Sequence, residues 1–269
     1  MSPLEVAVLL VALDQTPAKL QGFDALVPEG WPVILEAKLE RKGILGINPD
    51  LHGIEVVFAR GDREIARART AGDGMARVAW TPPEAGEYEI AVRVADPARF
   101  EAPPAALRVF SRDPKERETL VVDLDGTVCA SSGLDVARKE PAKIEATPGS
   151  AEALRRLARR FDVVYLTARD DALADKTRRW LDLRGFPRGP VLVRDVSFAT
   201  LSAEKWKTAR LADLARDFRL AAGVGDRDED ARAYVAAGMD AILVGGASDA
   251  PEKARRAADW TEVERLLQR

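Results

Sequence analysis

Between residues 31 and 110 apolar and polar positions alternate in short runs separated by clusters of Gly, Pro and Asp. That period of two predicts strands over 31–39, 53–58, 64–69, 75–80, 87–94 and 106–110, with turns at 71–74 and 81–86. The apolar run 7–13 predicts a first strand ahead of them. Six or seven strands at this spacing, with no convincing helix, predict an all-β immunoglobulin-like sandwich over 1–112.

A charged, proline-containing stretch at 111–118 then reads as a linker, and the pattern changes. Apolar runs at 119–123, 162–166, 191–193, 220–224 and 241–244 alternate with segments of helical period. Strands alternating with helices predict a doubly wound parallel α/β sheet over 113–269. Helix starts carry their own signals. Thr147-Pro148 reads as an N-cap with proline in the first turn, ahead of Ala151, Leu154 and Leu157 on one face. Thr261 and Glu264 have the spacing of a capping box before Leu266 and Leu267.

Composition adds limits. The chain has 269 residues, 46% hydrophobic and 32% charged, which suits two soluble domains with buried cores. Its net charge of -3 predicts neither a nucleic-acid binder nor a protein that avoids polyanions. Cys129 is the single cysteine, so no internal disulfide is possible and a reducing compartment suits the chain. No apolar run approaches the ~20 residues that a membrane-crossing helix needs. The run 7–13, preceded by Glu5 and closed by Asp14, does not read as a signal peptide. A cytoplasmic protein, free or peripheral at a membrane, is expected. His52, in a loop-like stretch beside Pro49 and Gly53, reads as a surface residue rather than a metal ligand.

Candidate chemistry lies in the second half. The run Thr119-Leu-Val-Val-Asp-Leu-Asp-Gly-Thr-Val128 ends a buried strand in two carboxylates, a glycine and a hydroxyl. By itself this is also what an ordinary Asx turn looks like. Its place at the carboxyl end of a strand, where open α/β sheets bind ligands, makes Asp123 and Asp125 candidates for holding a hard cation such as Mg²⁺. Leu166-Thr-Ala-Arg169 puts a hydroxyl and backbone N–H groups at the end of the next strand, a corner suited to phosphate oxygens. Glu204-Lys-Trp-Lys-Thr208 supplies lysines at a helix start. Lys205 and Lys207 face different ways, so one can serve as the buried cation, and Lys207 is preferred. In Gly223-Val-Gly-Asp-Arg-Asp-Glu-Asp230, Asp226 is the candidate metal ligand at the strand end. Asp230 would be a second or outer ligand, and Asp228 and Glu229 complement the helix dipole. Arg155, Arg156, Arg159 and Arg160 read as a solvated basic face, and Cys129 as a small packing residue.

These residues resemble the four motifs of haloacid-dehalogenase-type phosphatases, in order: Asp123-Leu-Asp-Gly-Thr127, Thr167, Lys207, and Gly225-Asp226 with Asp230. The resemblance implies a Mg²⁺-dependent phosphomonoester hydrolase in which Asp123 attacks phosphorus, Asp125 exchanges protons, and Thr167 and Lys207 handle the phosphoryl oxygens. The implied Mg²⁺ ligands are Asp123, the Asp125 carbonyl and Asp226, with Asp230 second. Between Val128 and Thr147 there is no room for a domain-sized cap, so a minimal cap and an open cleft are expected.

A narrower similarity is to the catalytic domain of lipin-type phosphatidate phosphatases, shared with phosphatidylinositol-transfer proteins. It is carried by Thr177-Arg-Arg-Trp-Leu181, Pro187-Arg-Gly-Pro190, Trp206-Lys207, and Gly225-x-Arg227-x-x-Asp230-x-x-Ala-Tyr234. It implies phosphatidate as substrate and a phospholipid surface as partner. Asp226 departs from that family, which usually has asparagine there. Two other readings are a polynucleotide 3′-phosphatase, which the balanced charge disfavours, and a non-catalytic phospholipid-binding module, which Asp123 and Asp125 disfavour. In the first half, Gly72-Asp-Gly-Met-Ala-Arg-Val-Ala-Trp-Thr-Pro82 followed by Ala85-Gly-Glu-Tyr-Glu-Ile90 is similar to bacterial immunoglobulin-like repeats.

Overall fold

The computed structural model describes residues 15–43, 48–131, 133–194, 202–245 and 251–268. The strand expected at 7–13 lies outside them. The chain divides into two compact units, Met1–Ala25 with Gly30–Val109, and Leu26–Glu29 with Phe110–Arg269.

The N-terminal strands are β1 Thr16–Phe23, β2 Ala25–Pro28, β3 Val33–Arg41, β4 Glu55–Arg60, β5 Arg63–Arg69, β6 Met75–Trp80, β7 Gly86–Val94, β8 Phe100–Glu101 and β9 Ala105–Arg112. They form two sheets, ordered β6-β3-β1-β8 and β2-β9-β7-β4-β5, the pair of sheets that the alternation predicts. In β7 the alternation is complete. Tyr88, Ile90, Val92 and Val94 are buried, while Glu89, Ala91 and Arg93 between them are exposed. Tyr88 also donates its hydroxyl to the Glu84 carbonyl (2.8 Å), a tyrosine corner of the immunoglobulin-like kind. The edge strand β5 presents Arg63, Glu64, Arg67 and Arg69, charges that oppose pairing with another chain. β1 and β2 are not among the expected strands. In β1 the buried Gln21 breaks the apolar alternation that marks the others.

The second unit is a six-stranded parallel sheet. Its strands are β10 Glu118–Val122, β11 Phe161–Asp170, β12 Val191–Arg194, β13 Leu220–Gly225, β14 Asp240–Val244 and β15 Arg255–Ala257, in the order β12-β11-β10-β13-β14-β15. The chain starts in the middle, builds outward one way through β11 and β12, then returns to build the other way from β13. β10 and β13 therefore flank a topological switch point, with Val122 opposite Val224 in the register. Helices cover both faces because β10 is apolar on both. Leu120 and Val122 pack with α2 Ser150–Leu157, α3 Ala174–Leu183 and α6 Trp260–Leu267. Val121 packs on the other face with α4 Ala203–Asp217 and α5 Asp228–Ala236. A short helix, α1 Gly133–Arg138, and a 3-10 turn occupy the connection before α2, and no domain-sized cap occurs there among the described residues.

Several local expectations shift. The linker shrinks to 113–117, because β9 runs on through the buried Ser111 to Arg112 and β10 begins at Glu118. β11 extends to Asp170, so Thr167 and Arg169 belong to the strand. The cap of α2 is Gly149 (φ 76°, ψ -9°) rather than Thr147. Pro148 and Gly149 instead occupy the middle of a turn closed by the Ser150 N–H on the Thr147 carbonyl (3.1 Å), with the angles of type II. The cap of α6 is Asp259, which accepts from the Glu262 N–H (2.9 Å). The buried Trp260 has to enter the first turn, and Glu264 is drawn off to a bidentate pair with Arg156.

Tight approaches also explain residues of the lipin-like similarity. The Tyr234 ring lies under Gly223, where an added Cβ would come within 2.3 Å of it, and its hydroxyl donates to the Val224 carbonyl (3.2 Å). A Cβ at Gly189 would fall 2.0 Å from the Val163 carbonyl oxygen. Gly223→Ala should therefore lower stability by about 1–3 kcal/mol through overpacking. Urea unfolding with an unchanged midpoint would disprove the contact.

Candidate active site

Asp123 is the first residue beyond β10. Its N–H still donates to the Val224 carbonyl (2.9 Å), which fixes where its carboxylate leaves the sheet. Asp226 is the first residue beyond β13, directly across the switch point. Thr127 Oγ1 lies 3.3 Å from both Asp123 Oδ2 and Asp226 Oδ1 and ties the two strand ends together. The approach depends on Gly126, at φ +84°, where a Cβ would stand 2.1 Å from Asp226 Oδ2. The indole N–H of Trp260 donates to the Thr127 carbonyl (3.1 Å) and anchors this turn to α6.

Lys207 comes from the second turn of α4. Its Nζ lies 2.5 Å from Asp123 Oδ1 and 2.5 Å from Asp230 Oδ1, with all three side chains buried. Asp230 Oδ2 accepts from the Arg227 N–H (3.4 Å), so both oxygens of Asp230 are engaged. Lys205 is exposed on the same helix. Asp123, Asp226 and Asp230 each offer an oxygen within 4.8 Å of the others.

Burial and crowding dominate the electrostatics. Desolvation pushes the Asp123 carboxyl up to about 6, against the pull of Lys207 and helped by Asp230 and Asp226. Asp226 is raised by burial and then by Asp230. Lys207 suffers the opposite desolvation, yet Asp123 and Asp230 outweigh it and hold the ammonium above its ordinary range. One buried cation thus faces three carboxylates, an excess of negative oxygen donors that suits a hard divalent cation.

Asp125 and Thr167 line the same cleft as Asp123, Lys207 and Asp230, but neither belongs to the acidic cluster. Thr167 is buried, and its Oγ1 accepts from the Arg169 N–H (3.2 Å). The Asp125 carboxylate is held by the Arg169 guanidinium, with Nη2 2.7 Å and Nε 3.1 Å from Oδ1 and Nε 2.9 Å from Oδ2. Arg169 is not among the candidate residues that the sequence singles out. Its position two beyond Thr167 on an extended strand, and so on the same face, was the available signal. The basic run of α2 lies elsewhere in this unit. Arg155, Arg156, Arg159 and Arg160 are all exposed, the solvated face expected, although Arg155 donates to the Gly185 carbonyl, Arg156 pairs with Glu264 and Arg160 donates to the Leu267 carbonyl. Cys129 is buried and its thiol is pushed up by that burial. His52 is exposed.

Residues 120–244 match the family model described as PITM 1-3, LNS2 domain. Nothing matches among the curated proteins. Among solved structures, the chain is similar to the D,D-heptose 1,7-bisphosphate phosphatase of B. bronchiseptica complexed with magnesium and phosphate, at 24% identity and a TM-score of 0.47, over 56% of this chain and 98% of that one. It is also similar to a HAD-superfamily hydrolase of subfamily IA from Geobacter sulfurreducens, at 17% identity and a TM-score of 0.43, over 56% and 99%. Fibronectin(III)-like modules of Clostridium thermocellum CbhA align at 17% identity and a TM-score of 0.25, over 36% and 96%.

Removing the cation from between two buried carboxylates should be costly. In EDTA, Lys207→Met is expected to lose about 3–5 kcal/mol at pH 7.5. Without Lys207 the Asp123 carboxyl titrates still further above its unfolded value, so the deficit should shrink as pH falls toward about 6. Urea titrations at pH 7.5 and 5.0 measure both, and a deficit independent of pH would contradict the charge argument.

Proposed function

We propose that this chain is a Mg²⁺-dependent phosphomonoester hydrolase that works through an aspartyl-phosphate, with phosphatidate as its substrate class. The observation that carries the reading is the meeting of Asp123, Asp226, Asp230 and Lys207 at one sheet rim, beside a cleft lined by Asp125 and Thr167. Phosphoryl transfer relies mainly on positioning and charge neutralisation, and this arrangement supplies both.

Asp123 is the nucleophile. Its carboxylate oxygen attacks phosphorus, the ester P–O bond breaks, and Asp125 gives its proton to the departing oxygen. Asp125 then takes a proton from the water that attacks phosphorus, and the bond to Asp123 breaks to release inorganic phosphate. Lys207 offsets phosphoryl charge at the Asp123 end, and Thr167 orients the oxygens from the cleft wall. The all-oxygen donor set and its uncompensated charge suit Mg²⁺. Asp123, Asp226 and the Asp125 carbonyl would hold the ion, with Asp230 behind them steadying Lys207. When bound, the ion neutralises charge on the transferring group.

Phosphatidate rests on the lipin-like motifs, which, like the site positions Asp123 to Asp230, fall within the matched residues 120–244. With no domain-sized cap among the described residues, the cleft also admits a bulky ester. No helix among the described residues is long and apolar enough to cross a membrane, so access would be from a lipid surface. Phosphate release from phosphatidate vesicles, 3′-phosphorylated DNA and small esters, each with and without EDTA, tests substrate and metal together. Phosphatidate should be preferred and EDTA should abolish turnover. DNA preference would overturn the substrate, and EDTA-resistant turnover the metal.

Asp123→Asn should lose at least ~100-fold in kcat with folding intact. Turnover like the wild type would remove the nucleophile. In the metal-free protein, ionising Asp123 costs stability as pH rises through about 6, because its folded pKa lies above the unfolded one. Mg²⁺ should therefore raise Tm more at pH 7.5 than at pH 5.0, and an equal shift at both would argue against binding at Asp123.

A further inference from the structure

Each nitrogen of the Arg169 guanidinium is engaged. Its side chain is 3% exposed and it faces the one candidate catalytic carboxylate that lies outside the acidic cluster. Its Nη1 donates to Thr177 Oγ1 (3.1 Å), and its guanidinium carbon lies 5.6 Å from the centre of the buried Trp180 ring. Trp180 in turn donates its indole N–H to the Ile144 carbonyl (3.1 Å). Two residues on α3 thus hold the guanidinium, and the guanidinium holds Asp125. Planarity makes this a stiff support, since a guanidinium fork fixes a carboxylate in its own plane.

Asp125 is held at both oxygens. Nη2 donates to Oδ1 at 2.7 Å, and the single Nε–H is shared between Oδ2 at 2.9 Å and Oδ1 at 3.1 Å, so the fork sets the plane of the carboxylate and leaves each oxygen a lone-pair site. We propose that Arg169 is a positioning residue that fixes the Asp125 carboxylate for proton transfer, and that α3 supports it through Thr177 and Trp180. This rests on the aspartyl-phosphate reading and deepens it. In the first step the proton on the Asp125 carboxyl passes to the ester oxygen as the P–O bond breaks. In the second, the Asp125 carboxylate takes a proton from the attacking water, whose oxygen bonds to phosphorus, and the Asp123 carboxylate departs.

The experiment is a double-mutant cycle with Arg169→Met and Asp125→Asn, read with p-nitrophenyl phosphate. That leaving group needs little help from an acid, so loss of Asp125 positioning should fall on the second step. Arg169→Met should lower kcat at least ~10-fold with the affinity for ester little changed. It should also accumulate phosphorylated enzyme, seen as a burst of nitrophenol approaching one per site. In an Asp125→Asn background the same substitution should cost nothing further. Arg169→Lys, which keeps the charge but not the fork, should fall between. A loss that multiplies in the Asp125→Asn background, or an unchanged kcat without a burst, overturns the proposal. If Arg169→Met does not fold, Arg169→Lys and Thr177→Val carry the same cycle with the same two outcomes. Asp123→Asn run alongside separates the failures. If it is inactive while the cycle multiplies, only the role of Arg169 falls, whereas an active Asp123→Asn removes the phosphatase mechanism beneath it.

Discussion

Lys207 sits between Asp123 and Asp230 at 2.5 Å from each, and all three are buried. A buried charge is tolerated only when matched, and here one ammonium serves two carboxylates while a third, Asp226, lies close by. The cation comes from α4 on one face of the sheet, the first carboxylate from the end of β10, and the others from the end of β13 and the start of α5. The ion pair therefore ties a helix to the two strands that flank the switch point. Without it the rim would hold mutually repelling acids in a poorly solvated place.

The surrounding structure is arranged around close approach. Gly126 and Gly225 lie where any Cβ would collide with Asp226 or Asp230, and Gly223 lies where it would strike Tyr234. These glycines stand where the backbone must make room for a side chain from another loop or helix. Thr127 and Trp260 then fix the turn that carries Asp123 and Asp125, the first by bridging two carboxylates and the second by holding a carbonyl. A rigid rim and an adjacent cleft follow from packing alone.

Two kinds of cationic partner operate in the site. Lys207 is a point charge shared between carboxylates of the acidic cluster. Arg169 is a planar fork devoted to Asp125, stiffened by Thr177 and Trp180. The division keeps two neighbouring aspartates, separated by one residue in the chain, in different surroundings. The proposed phosphoryl transfer draws on that difference, with one carboxylate to attack and the other to move protons.

Much of this was readable from residue order. The period of two in 75–80 and 87–94, and the alternation of strand and helix after 119, determined the all-β region and the parallel sheet, because burial on one face or two writes itself into hydrophobic spacing. Candidate acids could be named because they follow apolar runs, where strand ends become ligand sites. Tertiary structure alone decided their partnerships. Lys207 rather than Lys205 reaches the carboxylates because only one face of α4 meets the rim. Asp125 belongs to Arg169 because β11 extends past Leu166 and turns that side chain toward the cleft. Gly149 and Asp259 displaced the caps expected at Thr147 and Thr261, since a type II turn and a buried tryptophan set where each helix could begin. Local sequence carries period and propensity. Which charge meets which is a matter of distance across the fold, and no spacing along the chain encodes it.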